Sequence, residues 1–391
     1  MSTALERPGW RKAKLEDLVF FQRGFDITQA HQKPGSYPVI SSSGITSYHD
    51  EFKVHGPGVV IGRKGTLGSI HFTSVDYWPH DTTLWSKDFK GNDPRFVYYF
   101  LHTIDFKRFD VGNSNPTLNR NHIHDLPVRI PLPLVQEKVA AVLSAYDDLI
   151  ENNRRRMALL EESARLLYSE WFVRLRFPGH EHTRIVDGLP EGWRRMPLGE
   201  ITTKIGSGAT PRGGEASYFS EGIPLIRSLN VYDDRFDDEG LAFIGEGQAA
   251  ALANVTVESR DILLNITGAS VARCCMAPER YLPARVNQHV MIIRVDAAEA
   301  SPFVVHAAIN SDERKRQLLS YAQKGSTREA LTKEMMAAFE ITLPSSTLMQ
   351  QFGESAATSF LQRENLALQN QKLKAARDLL LPRLMSGGIT V

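Results

Sequence analysis

The sequence predicts an α+β chain: two similar mixed α/β domains separated by two long helices that pair as an antiparallel coiled coil, an internal repeat with approximate two-fold character. Three observations lead there. Pro116-Thr117-Leu118 through Phe172 can be laid on Glu329 through Met385 at a constant offset of 213. Leu118 then falls on Leu331, Pro131 on Pro344, Glu151-Asn152 on Glu364-Asn365, and Leu166-Leu167 on Leu379-Leu380. A looser match opens each half, Trp10-Arg-Lys-Ala-Lys-Leu-Glu-Asp-Leu18 against Trp193-Arg-Arg-Met-Pro-Leu-Gly-Glu-Ile201, at an offset of 183. Finally, short apolar runs among Gly and Pro alternate with long stretches of helical periodicity.

The first domain, residues 1–133, holds the runs Tyr37-Pro-Val-Ile40, Gly58-Val-Val-Ile61, Ser69-Ile-His-Phe72 and Thr83-Leu-Trp85 between turn signals, which reads as many short strands. A helix is expected at Arg95–His102. The first spacer helix, 134–177, is centred on a stretch from Val135 to Phe172 that lacks Gly and Pro. Its seam is expected to run through Val139, Val142, Tyr146, Leu149, Met157, Leu160, Ala164, Leu167 and Trp171, with Asn153 interrupting it where Leu366 lies in the second half. Pro178-Gly179 ends it. The second domain, 178–344, repeats the strand pattern with Ile223-Pro-Leu-Ile226, Asp261-Ile-Leu-Leu264 and Val290–Val295, then a helix from Pro302 to Asn310. The second spacer helix, 345–391, shows Phe352, Ala356, Phe360, Leu366, Leu373, Leu380 and Leu384 in a similar seam, with a capping box expected at Thr347–Gln350. At 1.5 Å per residue each helix spans roughly 55 Å, and so apolar a stripe must be covered, most simply by its own repeat. Asn153 is either a tolerated polar residue or a device that sets register.

At 391 residues the chain can bury two ordinary cores, and its 42% hydrophobic and 23% charged residues are normal for globular proteins. No run of about 18 apolar residues occurs, and the N-terminal stretch lacks the apolar centre of a signal peptide. The only cysteines are the adjacent Cys274 and Cys275, which suit neither a disulfide nor a zinc site and point to the cytoplasm. A net charge of +1 gives no bulk argument for nucleic acid, so any such role must rest on local clusters. There is no Asn-Pro-Pro-aromatic motif of an amino-methyltransferase (Asn115-Pro116 is followed by Thr117), no phosphate loop and no nuclease metal cluster.

The order of local motifs resembles the specificity subunit of Type I restriction-modification systems. Ile205-Gly-Ser-Gly-Ala-Thr-Pro211, Tyr218-Phe219 and Gly222-Ile-Pro-Leu-Ile-Arg227 look like the opening of a target recognition domain of that family. Asp261–Gly268, Val286-Asn-Gln-His289 and Gly325-Ser-Thr327 continue it. Gly35–Ile40, Val59–Gly65, Asn113–Pro116 and the Pro131-Leu-Pro133 entry to the first helix are weaker counterparts in the first half. The resemblance covers nearly the whole chain. It implies a non-catalytic subunit that reads a split, asymmetric double-stranded DNA site with one domain per half. It also implies partners: two adenine-N6 methyltransferase subunits using S-adenosylmethionine, and translocase/nuclease subunits using ATP and magnesium. It implies no membrane association and no cofactor in this chain.

Candidate DNA-binding residues lie in the loops. Lys204, Ser207, Thr210 and Arg212 belong to a Gly-rich, hydroxyl-rich stretch, where small residues admit a phosphate and Arg can fork onto phosphate or guanine; an ordinary surface loop is the competing explanation. Arg23 in Gln22-Arg23-Gly24 is the first-half counterpart. Arg63 and Lys64 sit in a Gly-rich turn, matched by Asn265–Ser270 with Arg273 downstream, and Arg227 closes the second-half opening motif. Asn113, Asn115, Thr117 and Lys324, Ser326, Arg328 precede the long helices and suit turns as well as contacts. Asn287 and Gln288, with His80-Asp81-Thr82 in a similar place, could read adenine or satisfy strand-edge backbone. The partner-binding seam is expected at Tyr146, Leu149, Asn153, Leu160, Leu167, Leu366, Leu373 and Leu380. A coiled-coil scaffold with two protein-binding domains is the alternative function; it explains the repeat but not polar and basic loops at matched places.

Overall fold

The computed structural model describes residues 9–109, 117–211, 213–324 and 330–391. The side chains of Lys107 and Lys324 are outside that description. Two compact units divide the chain, one of residues 1–152 with 370–391 and one of 153–369, so each unit takes a portion of both long helices.

In the first unit, β1 (Trp10–Lys14), α1 (Leu15–Leu18), β2 (Phe20–Arg23), β3 (Tyr37–Ser41), β4 (Gly44–His49), β5 (Gly58–Gly62), β6 (Ile70–Thr73), β7 (Trp78–Pro79) and β8 (Thr83–Asp88) precede α2 (Pro94–Leu101), α3 (Arg120–His124) and β9 (Pro127–Pro131). One sheet has the order β2-β8-β5-β6 and a second β4-β3-β7, while β1 and β9 form an antiparallel ribbon. The central strand β5, Gly-Val-Val-Ile-Gly, is buried throughout, as an unbroken apolar run predicts. Asp93 caps α2 by accepting from the Phe96 N–H over 2.7 Å, and Pro94 occupies the first helical turn where its missing N–H costs nothing.

The second unit repeats this order. After a small hairpin, β10 (Ile185–Val186) with β11 (Leu189–Pro190), come β12 (Arg194–Pro197), β13 (Thr202–Ser207), β14 (Ile223–Ile226), β15 (Ala242–Ile244), β16 (Thr256–Val257), β17 (Ile262–Asn265), β18 (Cys274–Met276), β19 (Ala284–Val286), β20 (Val290–Val295) and β21 (Glu340–Leu343). The sheets are β13-β20-β17-β18 and β15-β14-β19-β16, with the ribbon β12-β21. Each has its first-unit counterpart, down to the parallel pairing of β14 with β19, matching β3 with β7. The helices α5 (Glu246–Ala251), α6 (Pro302–Asn310), α7 (Asp312–Lys324) and α8 (Lys333–Ala337) complete the unit, with α6 in the place of α2.

The long helices are α4 (Pro133–Tyr168), continued by a π-helical turn over Ser169–Val173, and α9 (Ser346–Met385). The second begins one residue ahead of the expected capping box at Thr347. They run antiparallel within each unit. In the first, Asp147 meets Arg377 while the earlier Lys138 reaches Val391. In the second, Glu161 meets Arg363 at 3.1 Å while the later Tyr168 packs on Phe352.

The core sides of these helices correct part of the expected seam. Leu149 is 50% exposed and Val142 37%, whereas Leu143 is 0% and Ile150 7% exposed. A heptad seam alternates steps of four and three, so from Val139 it passes through 143, 146 and 150, one residue beyond the expected 142 and 149. Asn153 and Leu366 are buried, and Tyr146, Leu160, Leu167, Leu373 and Leu380 are half-buried. Among the described residues no helix is long and apolar enough to cross a membrane.

Candidate nucleic-acid interface

Each unit gathers four chain segments into one node at the end of one sheet, β2-β8-β5-β6 in the first unit and β13-β20-β17-β18 in the second. In the first, β2 leads into Arg23 and Gly24, the turn His80–Thr82 joins β7 to β8, Arg63 and Lys64 follow β5, and Thr117-Leu118 precedes α3. Backbone bonds lock them together. Gly24 N–H donates to Thr83 at 3.0 Å and Phe25 N–H to Pro79 at 2.8 Å. Arg63 N–H donates to Thr82 at 2.8 Å, and Leu118 N–H to Arg63 at 3.0 Å. Gly24 could not be replaced without movement, because an added Cβ would lie 2.2 Å from the His80 carbonyl oxygen.

Three bonds close the second node, and two of them, those donated by Ile266 and Leu331, are the counterparts of those donated by Arg63 and Leu118. Gly208 N–H donates to Asn287 at 3.2 Å, Ile266 N–H to His289 at 3.0 Å and Leu331 N–H to Ile266 at 2.9 Å. Ile266 and Thr267 therefore stand where Arg63 and Lys64 stand, Asn287-Gln288-His289 where His80-Asp81-Thr82 stand, and Leu331 where Leu118 stands. A Cβ on Gly208 would fall 1.7 Å from the Val286 carbonyl oxygen, so glycine is required at this crossing as at Gly24.

The side chains on these matched frames differ. In the first node Arg23 pairs with Asp81 at 2.9 Å, and Asp81 lies 3.2 Å from Nδ1 of His80. Arg63 is half-buried beside them. Burial, then the neighbouring Arg23, hold its pKa below the usual arginine value, against the pull of Asp81. Its Nη1 is buried without a hydrogen-bond partner among the described residues, which suits it to an incoming anion. Asp26, His80 and Asp81 bring three possible metal-ligand atoms within 4.8 Å of one another, although Arg23 already supplies positive charge to Asp81. In the second node Thr210 donates to the Oε1 of Gln288, Gln288 Nε2 lies 3.1 Å from His289 Nε2, and His289 Nδ1 lies 2.6 Å from the Thr267 hydroxyl. These described side chains include no Lys, Arg, Asp or Glu, where the first node is an Arg–Asp–Arg set.

The structure thus brings together Arg23, Arg63, Lys64 and Thr117 in one unit, and Ser207, Thr210, Asn287 and Gln288 in the other. Asn287 is buried and its Oδ1 accepts from the His289 N–H at 3.1 Å, so it shapes the turn from within. Three further cations are engaged elsewhere. Lys204 donates to the Asn254 carbonyl. Arg227, 16% exposed at its side chain, pairs with Glu215 at 2.9 Å, donates to Gly240 at 2.7 Å and lies over Tyr218. Arg273 stacks 4.8 Å over Tyr232. Asn113, Asn115, Arg212, Ser326 and Arg328 lie outside the described residues, as does the Lys324 side chain. Sequence reasoning missed Asp26 and Thr267 as individual members of the nodes. Asp26 is one exposed carboxylate after a strand and carries no distinguishing signal, whereas Thr267 lies inside the Asn265–Ser270 segment already matched to the Gly-rich turn of Arg63 and Lys64.

Several known proteins are similar to this chain. A family model described as the Type I restriction modification DNA specificity domain matches residues 8–162. The Type I restriction enzyme MjaIX specificity subunit of Methanocaldococcus jannaschii is 26% identical over 309 residues, covering 76% of this chain and 69% of that protein. The HindI specificity subunit of Haemophilus influenzae is 20% identical over 364 residues, covering 76% and 77%. Among solved structures, the Type I system S subunit of M. genitalium matches in fold with a TM-score of 0.62 at 15% identity, covering 98% of both chains.

Proposed function

We propose that the chain is a specificity subunit of a Type I restriction-modification system and that it reads a bipartite, asymmetric double-stranded DNA site, one domain to each half. Residues 1–133 and 178–344 act as the two target recognition domains. Residues 134–177 and 345–391 act as spacer helices, which fix the distance between half-sites and dock two methyltransferase subunits. Translocase/nuclease subunits join through that assembly. S-adenosylmethionine belongs to the methyltransferase partner, ATP and magnesium to the translocase; this chain contributes recognition and no catalytic group.

One observation carries the proposal. The two nodes share the backbone bonds of Arg63 with Thr82 and Leu118, and of Ile266 with His289 and Leu331, while the side chains at the matched places change from Asp81, Arg63 and Lys64 to Gln288, Ile266 and Thr267. A constant frame with variable polar side chains supports two readers that recognise different sequences. A pure scaffold gives no reason for the exchange to concentrate there. Cations at phosphate contacts release counterions, so log K should fall linearly with log salt.

The test is binding of the complex of this chain with its methyltransferase subunits to a duplex carrying its mapped methylation site. Affinity should fall steeply between about 50 and 200 mM salt. It should also collapse when the spacer between half-sites, expected near one helical turn or about 10 bp centre to centre, is lengthened by a few base pairs. Affinity indifferent to both salt and spacer would favour the scaffold.

A further inference from the structure

In each node an exposed polar side chain is held by bonds from behind, and those bonds decide which of its atoms stay free. In the second unit the exposed Gln288 is gripped on both sides. Its Oε1 accepts from Thr210, and its Nε2 donates to His289 Nε2 over 3.1 Å. Because the Gln288 amide nitrogen can only donate, His289 accepts at Nε2 and is left to donate from Nδ1 to the Thr267 hydroxyl, 2.6 Å away. A glutamine amide has two N–H donors and two acceptor lone pairs. One of each is spent, so one donor and one acceptor remain, side by side in the amide plane. Adenine offers the complement in the major groove, with N7 accepting and the N6 amino group donating.

In the first unit Asp81 takes the place of Gln288, and it does different work. Arg23 Nη2 donates to Asp81 Oδ2 at 2.9 Å, and the same carboxylate meets His80 at 3.2 Å. The Asp81 side chain is 21% exposed and Arg23 55%, so the carboxylate is the buttress and the guanidinium the exposed group. A guanidinium has five N–H donors and no acceptor. It cannot accept from the adenine amino group, but its fork matches the O6 and N7 acceptors of guanine.

We propose that Arg23, oriented by Asp81, reads a guanine in the half-site of the first domain, and that Gln288, oriented by Thr210 and His289, reads an adenine in the half-site of the second. This rests on the two-domain DNA reading given above, and names the base each domain demands at one position.

The experiment uses the full chain in complex with its methyltransferase subunits, on the motif found by methylation sequencing. Duplexes are made with 7-deazaguanine at each guanine of one half-site or 7-deazaadenine at each adenine of the other, which removes the N7 acceptor and leaves Watson–Crick pairing intact. One guanine position and one adenine position should each lose about 10-fold in affinity, the size of a good bidentate contact. Arg23→Ala should relax the guanine position alone and Gln288→Ala the adenine position alone, with the remaining motif unchanged. Insensitivity to 7-deaza bases in either half overturns the assignment for that half; that arm uses the unaltered protein and does not depend on how a variant folds. Relaxation of both halves by Arg23→Ala would overturn the two-domain reading itself. An unchanged motif in both variants would leave that reading standing and remove the base assignment.

Discussion

The two halves seat their domains on the long helices with different chemistry at matched positions. In the first unit Asp147 of α4 accepts from the hydroxyl of Tyr99 in α2 at 2.5 Å and pairs with Arg377 of α9. Burial depresses the pKa of Arg377, but bonds to Asp378 and Asp147 outweigh it and raise it above the usual arginine value. The corresponding positions in the second unit are Ala307, Phe360 and Ala164, and these three line a cavity of about 440 Å³ instead. There the seat is aromatic: Phe352 packs on Tyr168, Trp171 and Phe172 with ring centroids 5.2–6.5 Å apart. A repeat can therefore keep its backbone plan while an ion pair in one half gives way to alanine and phenylalanine around an open space in the other, because the plan fixes where helix and domain meet but not which side chains lie between them.

The difference can be broken from either side. Phe352 is fully buried, and its counterpart by offset is Val139, 1% exposed. Phe352→Ala should cost about 3–5 kcal/mol, and Val139→Ala clearly less, since fewer buried atoms are removed. Chemical denaturation of the two variants measures this, and equal losses would mean that the aromatic seat is not what holds the second unit. Next in size is Asp147→Ala, which removes the acceptor of the Tyr99 hydroxyl and leaves Arg377 with Asp378 as its carboxylate partner, at a cost of about 1–3 kcal/mol. Removal of both charges with Arg377→Met in the same chain should recover much of that loss, and calorimetry of the single and double variants would show whether it does.

A smaller effect should be common to both halves. His124 is buried and accepts the Phe21 N–H at Nε2 over 3.0 Å; His306 is buried and its Nε2 lies 3.1 Å from the Asn310 amide. Burial, ahead of nearby charges, holds both below the ordinary histidine value of 6.5, and for His306 Arg363 and Lys315 act in the same sense while Asp234 opposes. The neutral ring is the folded form. Stability is thus fully present above about pH 6.5 and is lost as the pH falls from there through the depressed folded value. The midpoint of urea unfolding should decline on acidification over that range, and His306→Gln should flatten part of the slope. A pH-independent midpoint would contradict the assignment of neutral, acceptor imidazoles.

Much of this plan is legible in the sequence because a duplication leaves offsets that need no structural knowledge. The offset of 213 pairs Leu118 with Leu331, and those two residues do make the same backbone bond in each node. The helix seam was legible only to within one residue. Val142 stands beside Leu143 and Leu149 beside Ile150, so two phases one residue apart both satisfy helical spacing in this stretch, and only the facing helix decides which turns inward. The nodes were legible as loops but not as closed frames. Bonds such as Arg63 N–H to the Thr82 carbonyl join main-chain atoms that every residue has, so no side chain announces them. For the same reason Arg227 looked like a free cation, although Glu215, Gly240 and Tyr218 occupy its guanidinium.

The central claim is that each domain answers for one half of the site. Exchange of residues 10–130 for the matching domain of a related specificity subunit, in cells that also supply the methyltransferase subunits, tests it by genome-wide methylation sequencing. One half of the recognised motif should change, while the other half and the spacer length stay as they were. A motif in which both halves change, or a symmetric and uninterrupted target, would contradict it.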